Sequence, residues 1–167
     1  METPLPENSS VDDVGFTIVR WFDATPDRVF AALTDATEAP QWMWAGMGQN
    51  PRGEIDLRVG GRFRIAIDPE EGESGWNDGD MAMSGVYLEV EPGRRLAYTL
   101  HWEADVGYNR GDAEVLDEAV IIDITPSREG SQLVFRHIGI PNDGESAAEH
   151  CRGTAFALDL LRRLVED

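Results

Sequence analysis

The sequence changes from one hydrophobic periodicity to another near its C-terminal end, and this change most limits the folds open to it. Between residues 54 and 138, apolar and polar side chains alternate in short segments that end at Gly- or Pro-containing turns, as in half-buried β-strands. From residue 145, apolar side chains instead recur every three or four positions, as on one face of a helix. The pattern predicts hairpins that form one sheet, with a long helix packed against it.

Seven strands are predicted. The first is rich in β-branched and aromatic residues, and the next two flank Gly60 and Gly61. We expect these glycines to form a two-residue hairpin turn, because glycine readily adopts the positive φ angles that such turns need. The predicted strands are Phe16–Phe22, Glu54–Val59, Arg62–Ile67, Met81–Glu91, Leu96–Glu103, Val115–Thr125 and Gln132–Ile138.

Two short helices are predicted after the first strand. Thr25 is a suitable N-cap, and Pro26 suits the first helical position because its missing N–H costs nothing there. This helix should end near Asp35. A second helical turn over Ala36–Trp44 would bring Trp42 and its neighbours together as a bulky cluster.

The last predicted element is a helix over Glu145–Val165. Asp143 or Ser146 can cap it, and Ser146 with Glu149 fits a capping box. Its stripe of apolar residues should lie against the sheet, and further apolar residues beside the stripe should widen the buried face. The stripe comprises Ala147, Cys151, Thr154, Leu158, Leu161 and Val165, and the widening residues are Phe156, Leu160 and Leu164.

Composition predicts one domain over residues 15–167, after a flexible, polar lead-in over residues 1–14. The 32 acidic residues against 14 basic ones, all Arg, give a net charge of −18 that disfavours nucleic acids and anionic membranes as partners. Cys151 is the single cysteine, which excludes an intramolecular disulfide. Because the sequence has no signal-peptide pattern and no apolar stretch long enough to cross a membrane, we expect a cytoplasmic protein.

Several segments in this order resemble a known family, over about Phe16–Leu164. They are FDATPDRVFAALTDATEAPQWMW, EIDLRVGGRFR, GVYLEVEPGRRLAYTLHW, LVFRHIGIP and HCRGTAFALDLLRRL. The chain resembles the START-like, helix-grip superfamily, also called SRPBCC, in the branch named for activators of the heat-shock protein 90 ATPase. The resemblance implies an α+β fold with a curved antiparallel sheet wrapped around the C-terminal helix and a hydrophobic pocket between them.

One position departs from the family pattern. The family's last helix usually carries Trp directly after its Gly, whereas here Thr154 follows Gly153. Because Thr154 belongs to the apolar stripe, either more room is left beside the helix or Phe156 fills it. Gly153 costs about 1 kcal/mol in a helix relative to Ala, so we expect it to allow close approach of a strand or ligand.

Two ionisable residues are candidates for chemistry. Alternation along its strand turns His137 inward, where it is either a packed histidine with satisfied hydrogen bonds or a ligand-orienting or acid–base group. Glu118 shares the core face of its strand, where it is either an inward carboxyl near the cavity mouth or, as we expect, a water-exposed carboxylate at the rim. His101 and His150 have no metal-ligand spacing to His137, so no metal site is predicted.

These observations predict a domain that binds a small hydrophobic or amphipathic molecule, and His137 or Thr154 should orient that molecule. No cofactor is predicted. The residues expected to line its pocket are Trp42, Trp44, Phe63, Trp102, Phe135, His137, Thr154 and Leu158.

Two other functions stay open. A cyclase, aromatase or hydrolase, as some START-like relatives are, would need His137 and a carboxyl such as Glu118 within hydrogen-bond reach in the pocket. A co-chaperone that regulates a heat-shock chaperone ATPase is implied only by the branch's name, and no binding motif is found for it. A homodimer formed through a strand edge or the helix is also left open.

Overall fold

The computed structural model describes residues 4–44, 48–69, 81–103, 118–140 and 145–167. Within them the chain has the predicted α+β fold. The strands are β1 (Ser9–Val11), β2 (Gly15–Phe22), β3 (Gly48–Ile55), β4 (Arg62–Pro69), β5 (Met81–Glu91), β6 (Arg95–Glu103), β7 (Glu118–Ser127) and β8 (Gly130–Ile138). The helices are α1 (Pro26–Thr34), α2 (Ala39–Met43) and α3 (Ser146–Glu166). None of the helices in this part of the chain is long and apolar enough to cross a membrane.

These strands form one curved, open antiparallel sheet in the order β1-β2-β8-β7-β6-β5-β4-β3. From β3 to β8 each strand pairs with the next one along the chain, so this part is a series of hairpins. The helices α1 and α2 carry the chain from β2, near one edge, to β3 at the other. Helix α3 contacts β1, β2, α1 and α2, which confirms the predicted helix-grip arrangement.

Strand β1 lies in the segment that composition predicts to be loose. Ser9–Val11 pairs with β2 in antiparallel register, with Val11 opposite Phe16. Without it, the outer edge of β2 would present unpaired backbone N–H and C=O groups. Three residues of the predicted lead-in therefore form an edge strand, and the sheet in the described part of the chain has eight strands instead of the predicted seven.

The predicted two-residue turn at Gly60 and Gly61 is wrong. Strand β3 already ends at Ile55, which pairs with Phe63, so residues 56–61 form a longer loop. The Gly60 N–H donates to the Tyr87 carbonyl at 2.8 Å, and the Tyr87 N–H donates to the Gly61 carbonyl at 2.9 Å. Gly60 does adopt a positive φ of 83°, and the Gly61 N–H donates to the Arg58 carbonyl at 2.8 Å, so a tight turn lies one residue earlier, with Val59 and Gly60 at its centre, inside this longer loop.

The start of α1 is as predicted. The Thr25 hydroxyl accepts a hydrogen bond from the Arg28 N–H at 3.2 Å, and Pro26 is the first helical residue. Helix α2 is shorter than the predicted Ala36–Trp44. The Asp35 carboxylate accepts hydrogen bonds from the N–H groups of the two residues before Ala39, which holds them in a turn ahead of the helix.

The apolar stripe of α3 faces the core as predicted, and Leu158 and Leu161 are fully buried. The capping box is wrong, because Ser146 is the first helical residue and Glu145 holds the cap position, where its side chain makes no capping hydrogen bond. Phe156 is 55% exposed, because it lies on the side of the helix opposite the stripe. The alternative cap Asp143 and the predicted strand start at residues 115–117 lie outside the described residues.

Candidate functional site

A cavity of about 190 Å³ lies between the N-terminal part of α3, helix α2 and the concave face of strands β5 to β8. Its surface is mostly apolar, with a few polar side chains from α3 and β8. The lining residues are Trp42, Met43, Trp44, Met83, Tyr98, Leu100, Trp102, Val120, Phe135, His137, Glu149, His150, Gly153, Thr154 and Ala157.

The space exists because α3 turns small or polar side chains to the sheet here. Glu149, His150, Gly153, Thr154 and Ala157 recur every three or four residues, so they share one flank of the helix. Among them, Glu149 and Gly153 are exposed and lie at the mouth of the cavity. The expectation that Gly153 allows close approach is wrong, because a Cβ added there would meet nothing within 4 Å.

Two tryptophans after α1 form the wall contributed by α2. The indole N–H of Trp42 donates to the Ala32 carbonyl at 2.9 Å, and that of Trp44 donates to the Ile65 carbonyl at 3.0 Å. Trp44 also packs edge-on against Trp102, with ring centroids 5.6 Å apart. Because their polar atoms bond to the protein, these two indoles offer the cavity mainly apolar ring surface.

A buried pair of ionisable side chains adjoins the cavity. Nε2 of His137 lies 2.8 Å from Oε1 of Glu118, and these residues are only 3% and 4% exposed. The indole N–H of Trp102 donates to Oε2 of Glu118 at 2.9 Å. The expectation of a water-exposed rim carboxylate is therefore wrong, because two side-chain partners allow Glu118 to be buried.

Strand register explains why these side chains meet. His137 pairs with Val120 across β8 and β7, and Glu118 pairs with Leu100 across β7 and β6. Alternation then places Glu118 and Trp102 on the same concave face as His137. The sequence identifies the shared face, but the partners follow only from the register.

His150 is a cavity residue that the sequence reasoning missed. Its Nδ1 donates to the Ser146 carbonyl at 2.7 Å, and its ring centroid lies 5.9 Å from His137 and 6.2 Å from Trp102. Its position four residues before Thr154 could have revealed it, since residues at this spacing share a helix face.

Of the eight residues predicted to line the pocket, six line this cavity and two do not. Phe63 instead packs against Tyr87 and Tyr98, with ring centroids 5.3 and 5.1 Å away. Leu158 is fully buried in the solid part of the helix–sheet contact. The six lining residues are Trp42, Trp44, Trp102, Phe135, His137 and Thr154.

Burial favours the neutral form of two further side chains in this region, Tyr98 and Cys151. Burial raises the pKa of the Tyr98 hydroxyl above its ordinary range, and neighbouring Tyr87 adds to this rise. Burial also raises the pKa of the Cys151 thiol. Among the described residues, no group of three or more His, Cys, Asp or Glu side chains is placed to hold a metal ion.

The architecture is shared with many solved structures. The protein CV1439 from Chromobacterium violaceum is 26% identical, with a TM-score of 0.68 over 96% of this chain and 98% of that one. The AHSA1-like protein from Aeromonas hydrophila is 19% identical, with a TM-score of 0.69 over 90% of each chain. CalU16 from Micromonospora echinospora is 22% identical, with a TM-score of 0.61 over 98% of this chain and 87% of that one.

A search of curated proteins finds no match. The family described as activator of Hsp90 ATPase homolog 1-like protein matches residues 23–166, which include both the cavity wall from α2 and the whole of α3. The chain therefore belongs to this family, within the START-like, SRPBCC type of fold that the sequence resembles.

Proposed function

We propose that the protein binds a small, mainly apolar molecule with a single ring in the cavity between α2, α3 and the sheet. The cavity itself is the observation that carries this proposal: about 190 Å³ lined by aromatic side chains and a few polar groups. An apolar cavity of about 150 Å³ can hold benzene, whereas sites for drug-sized ligands measure about 300–1,000 Å³. The available volume therefore favours one ring with one or two small substituents.

The residue that follows Gly153 offers a way to close the cavity. Replacing Thr154 with Trp places an indole on the lining flank of α3, so ligand and side chain would compete for the same space. Phe156→Trp is the matched control, because it adds an indole to the exposed side of the same helix. Toluene is a suitable probe because it has one ring and no hydrogen-bonding group.

The test is a toluene titration followed by two-dimensional NMR of the ¹⁵N-labelled protein. We expect saturable shifts at cavity residues such as Phe135 and Ala157 in the native protein and in Phe156→Trp. In Thr154→Trp these shifts should be lost. If toluene causes no shifts in the native protein, or shifts that survive in Thr154→Trp, the cavity is not a binding site.

A second candidate function is acid–base catalysis on the bound molecule. The observation in its favour is the 2.8 Å contact between Glu118 and His137, since His137 lines the cavity and Glu118 orients its ring. An imidazole held by a carboxylate can take a proton from water as the water attacks an ester carbonyl. We hypothesise a hydrolase that acts on a single-ring ester, with the ring phenolate as leaving group.

Release of 4-nitrophenolate from 4-nitrophenyl acetate tests this second function. A positioned general base contributes about 10²–10⁴-fold, so His137→Gln should lower the rate by at least about 100-fold. The exposed His101 provides the matched control His101→Gln, which should keep the native rate. Equal rates in the native protein and His137→Gln would contradict the hydrolase hypothesis and leave the binding proposal standing.

A further inference from the structure

The hydrogen bond made by His150 determines what its ring can offer to a ligand. A backbone carbonyl only accepts, so the 2.7 Å contact with the Ser146 carbonyl requires the proton on Nδ1 of His150. In the neutral ring the other nitrogen, Nε2, is then a hydrogen-bond acceptor. His150 is half-buried and lines the cavity beside Trp102 and His137.

The indole donors on the cavity wall already have acceptors within the protein. The N–H groups of Trp42 and Trp44 donate to backbone carbonyls, and that of Trp102 donates to Glu118. On α3, by contrast, Nε2 of a neutral His150 is an acceptor on a ring that lines the cavity, and the carboxylate of Glu149 is another acceptor at the mouth. This distribution favours a ligand that donates a hydrogen bond, and a carboxylate beside the mouth disfavours an anionic one.

We infer that the ligand belongs to the phenol class, with its ring among the aromatic walls and its hydroxyl donating to Nε2 of His150. The inference rests on the proposed function, because it names the chemistry of a molecule bound in the same cavity. It makes His150 a specificity residue: the hydroxyl finds its partner there, while the apolar walls accept any ring of suitable size.

Phenol and toluene separate these two contributions, because they have the same number of heavy atoms and differ only in the hydroxyl. Calorimetric titrations at pH 8 would give the phenol-to-toluene affinity ratio for the native protein and for His150→Leu. Loss of one hydrogen bond should lower this ratio about three- to tenfold in His150→Leu. Phe156→Leu, on the exposed side of the helix, should keep the native ratio.

Other results would overturn the inference. If the phenol-to-toluene affinity ratio is unchanged in His150→Leu, His150 does not accept a hydrogen bond from the hydroxyl. The same conclusion follows if the ratio falls in Thr154→Val instead. Benzoate that binds more tightly than phenol would show that the ligand is an anion. If toluene binds but the ratio is unaffected by His150, only the inference fails; if neither probe binds, the proposed function fails with it.

A second measurement does not depend on how the variant folds. In the native protein with ¹⁵N-labelled histidine, phenol should shift the Nε2 resonance of His150 by hydrogen bonding, and toluene should leave it nearly unchanged. Equal shifts with both probes would contradict a hydrogen bond to Nε2.

Discussion

The two halves of α3 lie on the same sheet but meet it differently. In the first half, His150 and Thr154 border an open cavity. In the second half, Leu158, Leu161 and Val165 are buried in solid packing. The difference lies in side-chain size, because the first half presents small or polar groups where the second presents branched aliphatic ones.

Polar contacts follow the same division. The second half is tied to the start of the domain: the Glu166 carboxylate accepts from the Asp23 N–H at 2.8 Å, and Arg28 donates to the Leu164 carbonyl at 3.2 Å. Arg162 also donates to the Trp21 carbonyl at 3.1 Å and lies over the Phe22 ring. One helix thus supplies both an anchor for the fold and a wall for a binding site, from separate segments.

The largest expected effect tests the anchoring half. Leu161→Ala should lower the free energy of unfolding by about 2–5 kcal/mol, because it leaves a void in close packing. The matched change in the cavity half, Thr154→Ala, should cost less than about 1 kcal/mol, because its side chain already borders open space. Urea denaturation of both variants measures the difference, and similar losses would remove the distinction between the two halves.

A smaller effect is expected beside the cavity. Glu118→Leu removes the acceptor that His137 and Trp102 share. The buried His137 donor that loses its partner costs about 1–3 kcal/mol, whereas the partly buried Trp102 adds less. Glu149→Leu serves as control, because that carboxylate is exposed at the mouth and should change stability by no more than about 0.5 kcal/mol. Thermal unfolding would compare them. A Glu118→Leu variant as stable as Glu149→Leu would contradict a structural role for the buried pair.

A stabilising change is expected at Gly153. A methyl group there meets nothing within 4 Å, so Gly153→Ala should raise the free energy of unfolding by about 0.5–1 kcal/mol through helix propensity. A loss of stability would instead mean that this part of α3 approaches another element closely.

The smallest effect concerns Cys151, which is buried on the packed face of α3. Burial raises its pKa, so the folded protein at pH 8 should react with iodoacetamide far more slowly than the unfolded protein. The unfolded thiol ionises at a lower pH than the folded one. The stability contribution of Cys151 should therefore be complete below its ordinary pKa of 9.0 and decrease as pH rises above it. Fast labelling of the folded protein would contradict this burial.

Periodicity was enough to predict most of the fold. The alternation along β7 and β8 identified the faces of Glu118 and His137, and the stripe on α3 identified Leu158 and Leu161 as core. The end of β3 was harder to predict, because the tight turn at Val59 and Gly60 lies inside a longer loop, and Gly60 and Gly61 bond to Tyr87 of β5. Local pattern predicts which face a residue occupies, and tertiary register decides its partner.

The cavity illustrates the same limit. Its aromatic walls were predicted from residue type and face, but Phe63 satisfies both criteria and still packs elsewhere, against Tyr87 and Tyr98. His150 shares a flank of α3 with Thr154, but metal-ligand spacing does not identify it as a cavity residue. Where empty space lies depends on the sum of side-chain volumes around it, which no single strand or helix reveals.

A crystal structure grown with 4-bromophenol would test most directly whether the first half of α3 borders a binding site. Bromine scatters X-rays anomalously, so its position can be located independently of the refined protein. The account predicts one bromophenol between Phe135 and Thr154, with its hydroxyl oxygen within hydrogen-bond distance of Nε2 of His150. A cavity filled by rearranged side chains, with no bromine inside it at saturating 4-bromophenol, would contradict it.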